Sequence, residues 1–176
     1  MNRRQLLAAA GLAVAVPVAG CTAPTDGTET PGSQRVTVNF RNESDRTLVF
    51  TAAAMAAGFD GVELTYADDE TESFPDAETV DDVPARAWEQ AVTFTPLGDA
   101  QRREFRSTAG SGTGIEFEPT PYGTTVVTAV ADPDAELPML SIGSGTCGTA
   151  EEASVEVAVD AAGLVHQSTA CTDASS

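Results

Sequence analysis

One histidine, three cysteines, three methionines and a large surplus of carboxylates are the residues of this 176-residue chain whose types could do chemistry. A blue-copper centre needs two imidazoles, a thiolate and usually an axial thioether. His166 is alone, and neither Met139 nor Cys147 replaces the missing imidazole, so copper electron transfer is excluded. The same single His, and the wide spacing of Cys21, Cys147 and Cys171, argue against a zinc site. No metal or other cofactor is expected. His166 lies in Leu164-Val165-His166-Gln167, where strand alternation makes it a solvated or hydrogen-bonded rim residue. Ser144 stands in Gly143-Ser144-Gly145, but a nucleophile elbow needs glycines two positions either side, where Ile142 and Thr146 occur. Those glycines read as a turn.

The chain carries 27 Asp and Glu against 9 basic residues, all Arg, for a formal charge of −18 and a pI near 4.1. Phosphate recognition needs a basic face, so nucleic-acid binding is excluded. Residues 60–82 hold ten acids, among them Asp68-Asp69-Glu70, Glu72 and Asp81-Asp82. Calcium favours several carboxylates, but the spacing is not that of an EF-hand loop, and a solvated acidic loop is the reading taken. The same reading covers Asp132, Asp134 and Glu136 around Pro133. Arg102, Arg103 and Arg106 form the one basic cluster, for which pairing with the surplus carboxylates is expected. Asn42-Glu43-Ser44 is an N-glycosylation sequon at a predicted hairpin tip.

The elements that must position these residues read as strands. Val36, Val38 and Phe40 alternate with polar residues, and Leu48 to Met55 follows a polar turn as the return strand of a hairpin, its Ala-rich end offering a helical turn as an alternative. Further strands are expected at Val62 to Tyr66, Ala91 to Thr95, Arg102 to Ser107, Ile115 to Glu118, Thr124 to Ala131, Leu140 to Ser144, Ser154 to Val159 and Leu164 to Thr169. Thr124 to Val130 is apolar or Thr on both faces, which places it centrally in a sheet. Pro84 to Gln90, with the only Trp, predicts a short helix. Short strands between Gly, Pro and Asp turns predict an all-β, antiparallel β-sandwich. The strand rhythm from Arg35 to about Thr172 resembles an immunoglobulin-like domain, without that family's buried Cys-Trp-Cys arrangement.

The start of the chain carries a different signal. Arg3-Arg4 precedes an apolar run from Leu6 to Val18 that is short for a membrane-spanning helix, and it reads as a signal peptide. Arg3-Arg4-Gln5-Leu6-Leu7 resembles the twin-arginine export motif, and Val18-Ala19-Gly20-Cys21 resembles a lipobox, with Asn2 and Val18 departing from the commonest residues. With the absence of Lys, the whole resembles a haloarchaeal twin-arginine-exported lipoprotein. The resemblance implies cleavage before Cys21 and a lipid on that residue, which holds the protein at the outer face of the cell membrane. Removing residues 1–20 takes away two Arg and no acid, leaving 7 Arg against 27 acids, or −20. Molar salt screens such a charge.

With Cys21 lipidated outside the cell, the remaining even pair implies a Cys147 to Cys171 disulfide. A hairpin pairing Val159 with Leu164 across Asp160 to Gly163 would bring Cys171 opposite Glu152, within reach of Cys147. The expected organisation is a signal peptide at 1–20, a lipidated tether at 21–34, a sandwich domain at 35–172 and a disordered tail at 173–176. The expected function is that of a non-enzymatic binding or structural module at the cell surface, its partner an envelope protein or a glycan. The alternative is a small extracellular hydrolase using a carboxylate pair, for which the abundance of acids nominates no particular pair.

Overall fold

The computed structural model describes residues 32–173. Arg3, Arg4, Cys21, the signal peptide, most of the tether and residues 174–176 lie outside the described residues. The elements run β1 (Ser33–Asn42), β2 (Leu48–Met55), β3 (Val62–Tyr66), β4 (Thr71–Phe74), a 3-10 turn (Val80–Asp82), α1 (Ala85–Gln90), β5 (Ala91–Pro96) and β6 (Ala100–Ser107). They continue with β7 (Ser111–Glu116), β8 (Thr120–Pro121), β9 (Thr125–Ala131), β10 (Met139–Thr146), β11 (Glu152–Val159) and β12 (Val165–Thr172). The described residues are all-β apart from one short helix and the 3-10 turn.

Three sheets stack in layers. The first has the order β12-β11-β1-β7, with β8 beside β1; the second is β10-β9-β2-β6; the third is β4-β3-β5. Pairing is antiparallel except where β1 runs parallel to β11. The middle layer explains the doubly apolar strands. Every residue of β2 is buried, and its alternate side chains enter two different cores. Leu48, Phe50, Ala52 and Ala54 pack with β1 and β11, while Val49, Ala53 and Met55 pack with β3, β5 and α1. In the first core Phe40, Phe50 and Phe105 meet with ring centroids 4.9, 5.1 and 5.6 Å apart, in tilted, edge and stacked pairs.

β9 is central, as its composition predicts, between β10 and β2. The expected β1–β2 hairpin is not formed. The two strands belong to different sheets, and the turn between them crosses from layer to layer. A strand apolar on both faces must be covered on both sides, so β2 sits in the middle layer, while β1 buries one face and pairs with β7 and β11. The Ala-rich end of β2 stays extended to Met55 and does not wind into a helical turn. The domain starts earlier than expected. β1 begins at Ser33, and Gln34 is buried, with its Nε2 donating to the Ala150 carbonyl at 2.7 Å.

The Gly143-Ser144-Gly145 segment is strand, not turn. It runs beside β12 so closely that a Cβ at Gly143 would lie 1.8 Å from Gln167 Oε1, and one at Gly145 2.8 Å from Thr169 Oγ1. Glycine there lets the edge strands of two sheets approach one another. Directly beyond, Cys147 and Cys171 form a disulfide with Cα atoms 5.4 Å apart, bridging the first and second sheets.

Candidate functional site

A concavity lined mostly by apolar side chains is built by α1 and the edge strand β10. Pro84 caps the start of the helix, whose buried face is Ala87 and Trp88, and the Ala91 N–H closes its end on the Trp88 carbonyl. Trp88 is held from two sides. Its Nε1 donates to the Val80 carbonyl at 3.0 Å, and its ring meets Phe94 edge-on at 6.1 Å. Together with Val80, Val83, Met139 and Ile142, Trp88 lines a cleft of about 350 Å³, with Asp81 and Glu89 at its sides. β10 is an outer strand of its sheet, so among the described residues its edge along this cleft has no hydrogen-bonded neighbouring strand.

A second cleft, of about 480 Å³, adjoins the first along the chain, because Gln90 follows Glu89 and Pro138 precedes Met139. It is acidic. Asp68 and Glu70 come from the β3–β4 turn, Glu72 from β4, and Glu136 from the β9–β10 turn. The tight turn places Asp69 at φ 64, and the Glu70 N–H donates to Asp68 Oδ1 at 3.2 Å. The Tyr66 hydroxyl donates to Glu72 Oε2 at 2.6 Å. Burial first, then the hydrogen bond and charge of Glu72, push the Tyr66 hydroxyl up to about 12, so the proton stays on tyrosine. Tertiary folding thus unites two acidic segments that are far apart in sequence. Among the described residues no group of three or more His, Cys, Asp or Glu is arranged to hold a metal ion.

The basic cluster behaves otherwise than expected. Only Arg102 pairs with a carboxylate, Glu104, while Arg103 and Arg106 make no ion pair among the described residues and border a third cleft of about 420 Å³ between β6 and β7. Consecutive strand residues alternate faces, so three arginines in one strand cannot all reach the same partners. Arg102 fastens the second sheet to the third. Its Nε donates to the Phe94 carbonyl at 2.6 Å and its Nη2 to Thr93 Oγ1 at 2.6 Å. Burial works to raise the Glu104 carboxyl, but hydrogen bonds from Thr93, Arg102 and Thr51 and the Arg102 charge outweigh it and hold the carboxyl below its ordinary value. Glu104 therefore stabilises the fold fully above its unfolded pKa, and the contribution is lost as pH falls through the lower folded value. In acid-to-neutral urea titrations, Glu104→Gln should be less stable than the parent at neutral pH, and the two curves should converge below the carboxylate range.

Asn42, the first residue of the sequon, lies inside the fold. It is fully buried, with Nδ2 donating to the carbonyls of Arg46 at 2.8 Å and Ser107 at 3.1 Å. Its Oδ1 accepts from the Ser44 N–H at 3.1 Å and the Ser44 hydroxyl at 2.6 Å. Asn42 and Ser44 together pin the layer-crossing turn. Arg46 extends from that turn to Asp132 Oδ2 at 2.8 Å, and Asp132 is buried.

His166 is an exposed rim residue, as its strand position predicts, with Nε2 3.2 Å from Asp160 Oδ2. The β11–β12 hairpin closes one residue later than expected, pairing Val159 with Val165. Asp160 sets this longer loop, because its Oδ1 accepts from the N–H groups of Ala162 and Leu164, and Gly163 takes φ 81. Those bonds, the Leu164 N–H first and the His166 ring next, hold the Asp160 carboxyl below its ordinary value.

The Trp88 cleft was not legible in the sequence. A lone Trp in a short helix was its only local sign, and the opposing wall comes from a strand some 50 residues away, by the numbering of Met139 and Ile142.

No family model matches the chain, and no curated protein matches it. Among solved structures it is similar to a chain described as "Trapped Toxin", at 9% identity over 79% of this chain and a TM-score of 0.36. It is also similar to the T6SS lipoprotein TssJ1 from Pseudomonas aeruginosa, at 11% identity over 78% of this chain and 97% of that one, with a TM-score of 0.43. A third is a non-hemolytic pneumolysin from Streptococcus pneumoniae, at 9% identity over 80% of this chain and a TM-score of 0.35. The chain spans 24% of the length of each of the two toxin chains.

Proposed function

We propose that this chain is a membrane-anchored extracellular lipoprotein, exported through Arg3-Arg4 and held by lipid on Cys21, that serves as a binding or structural module at the cell surface. The observation that carries the reading is the partition of its thiols. Cys147 and Cys171 are joined in a disulfide, which suits an oxidising compartment, and Cys21 is the one cysteine left outside a bridge. A lipid on Cys21 accounts for that odd thiol. The stacked sheets form a rigid scaffold, and the clefts on its surface are of a size to accept part of a partner. The charge of −18 belongs with a halophilic setting, in which molar salt shortens the Debye length to about 3 Å and screens self-repulsion.

Substituting Cys21→Ser tests the anchor. The variant should move from the membrane fraction to the medium, or accumulate with its leader uncleaved, while the parent stays with the membrane. Normal cleavage with unchanged membrane retention would overturn the lipoprotein reading.

A further inference from the structure

We infer that the Trp88 cleft and the acidic cleft beside it form one docking surface for an extended segment of a partner protein, with an apolar anchor at one end and a run of basic residues at the other. The inference deepens the binding-module reading and rests on it.

Shape and chemistry define the occupant. The Trp88 cleft is apolar on its walls and open along the edge of β10, so a segment laid against that edge would gain main-chain hydrogen bonds and place alternate side chains between Trp88, Met139 and Ile142. The edge is not regular there, because the β9–β10 register shifts between Met139 and Ser141. Such a bulge re-aims side chains next to a binding surface. The helix side is polar and negative, with Asp81 and Glu89. Farther along, Asp68, Glu70, Glu72 and Glu136 line the second cleft, and among the described residues no Arg lines either one. Leu137, 55% exposed, stands in the turn that joins the two, next to Pro138.

Charge decides between occupants. An acidic segment would meet six carboxylates without a cation among the lining residues, in a chain whose total charge is −18. A basic segment can pair with these carboxylates at contact distance, which is within the Debye length of about 3 Å that molar salt leaves. A second copy of this chain is less suited, since it has no Lys and one Arg of its single basic cluster, Arg102, is already paired with Glu104.

The test titrates the full chain with a short peptide that alternates Thr with Val and Leu and ends in a run of Lys, and with the same peptide ending in Glu. Binding is read by calorimetry and by the emission of Trp88, the only Trp present. The Lys peptide should saturate, shift the Trp88 emission and bind at least about tenfold more tightly than the Glu peptide, a difference of roughly 1.4 kcal/mol. Combining Glu70→Gln, Glu72→Gln and Glu136→Gln should erase most of that preference, and Arg103→Gln, at the β6–β7 cleft, should leave it unchanged. Equal affinities for both peptides, no saturable binding, or binding that leaves Trp88 emission unmoved would overturn the inference. So would self-association that alters Trp88 emission with protein concentration while the Lys peptide fails to compete. Lipidation at Cys21 does not enter this titration, so failure here and failure of the anchor are read separately.

Discussion

Asn42→Ala should destabilise the domain by about 3–5 kcal/mol, because it orphans several buried polar groups at once, each costing about 1–3 kcal/mol. The Asn42 amide satisfies the carbonyls of Arg46 and Ser107 and receives two hydrogen bonds from Ser44, all at the turn that carries the chain from the first sheet to the second. Alanine leaves those groups without partners and water has no access to the site, since Asn42 is 0% exposed. Asn42→Asp should be as damaging. It sets an oxygen against two carbonyl oxygens in place of the donating nitrogen. Urea unfolding is the measurement, with a lower midpoint at an unchanged slope as the expected result. The peptide containing Asn42 should also carry no glycan mass in exported protein. A variant within about 0.5 kcal/mol of the parent would show that the turn does not depend on this residue.

Removing the disulfide should cost a similar amount by a different route. Cys147 and Cys171 are 24 residues apart, and closing a loop of that size stabilises the fold by about 3.5 kcal/mol in the chain-entropy model. The expected drop in Tm for the Cys147→Ala, Cys171→Ala double variant is roughly 10 °C for a domain of this size. The location adds a structural consequence. The bridge ties β12, at the edge of the first sheet, to the loop after β10, at the edge of the second. Loss of the bridge should therefore speed hydrogen exchange first in β12, the outer strand of its sheet among the described residues, before β2 and β9 are affected. Uniform exchange across all strands, or a Tm equal to that of the parent, would contradict this account.

The register of the last hairpin shows how a correct pairing followed from an incorrect detail. A turn of four residues would set Cys171 opposite Glu152, whereas the five-residue loop organised by Asp160 sets it opposite Ala153. Directly opposed residues share a face, and a slip of one residue reverses the face of every side chain. Ala153 packs in the core between the first and second sheets, so the observed register aims Cys171 toward Cys147. The disulfide was legible from the number and spacing of the cysteines and the nearness of the two strands. Its side-chain direction was set by one carboxylate accepting two backbone bonds.

What the sequence by itself determined is local. Alternation in Val36, Val38 and Phe40 made a half-buried strand, apolar character on both faces made β9 a central one, and Pro84 ahead of Ala85 to Gln90 made a short helix. Periodicity reports which faces of an element must leave water, and these elements obey it. Only the tertiary structure decided what covers each face. It separated β1 from β2, stacked a third sheet and α1 over the second core, buried the Asn42 sequon, and left Arg103 and Arg106 without the carboxylates abundant elsewhere. It also brought Trp88, Met139 and Ile142 to one cleft, and Glu72 and Glu136 to another. Such juxtapositions depend on pairings between distant segments, each chosen by the packing of all the others, and the burial pattern of a single strand leaves them open.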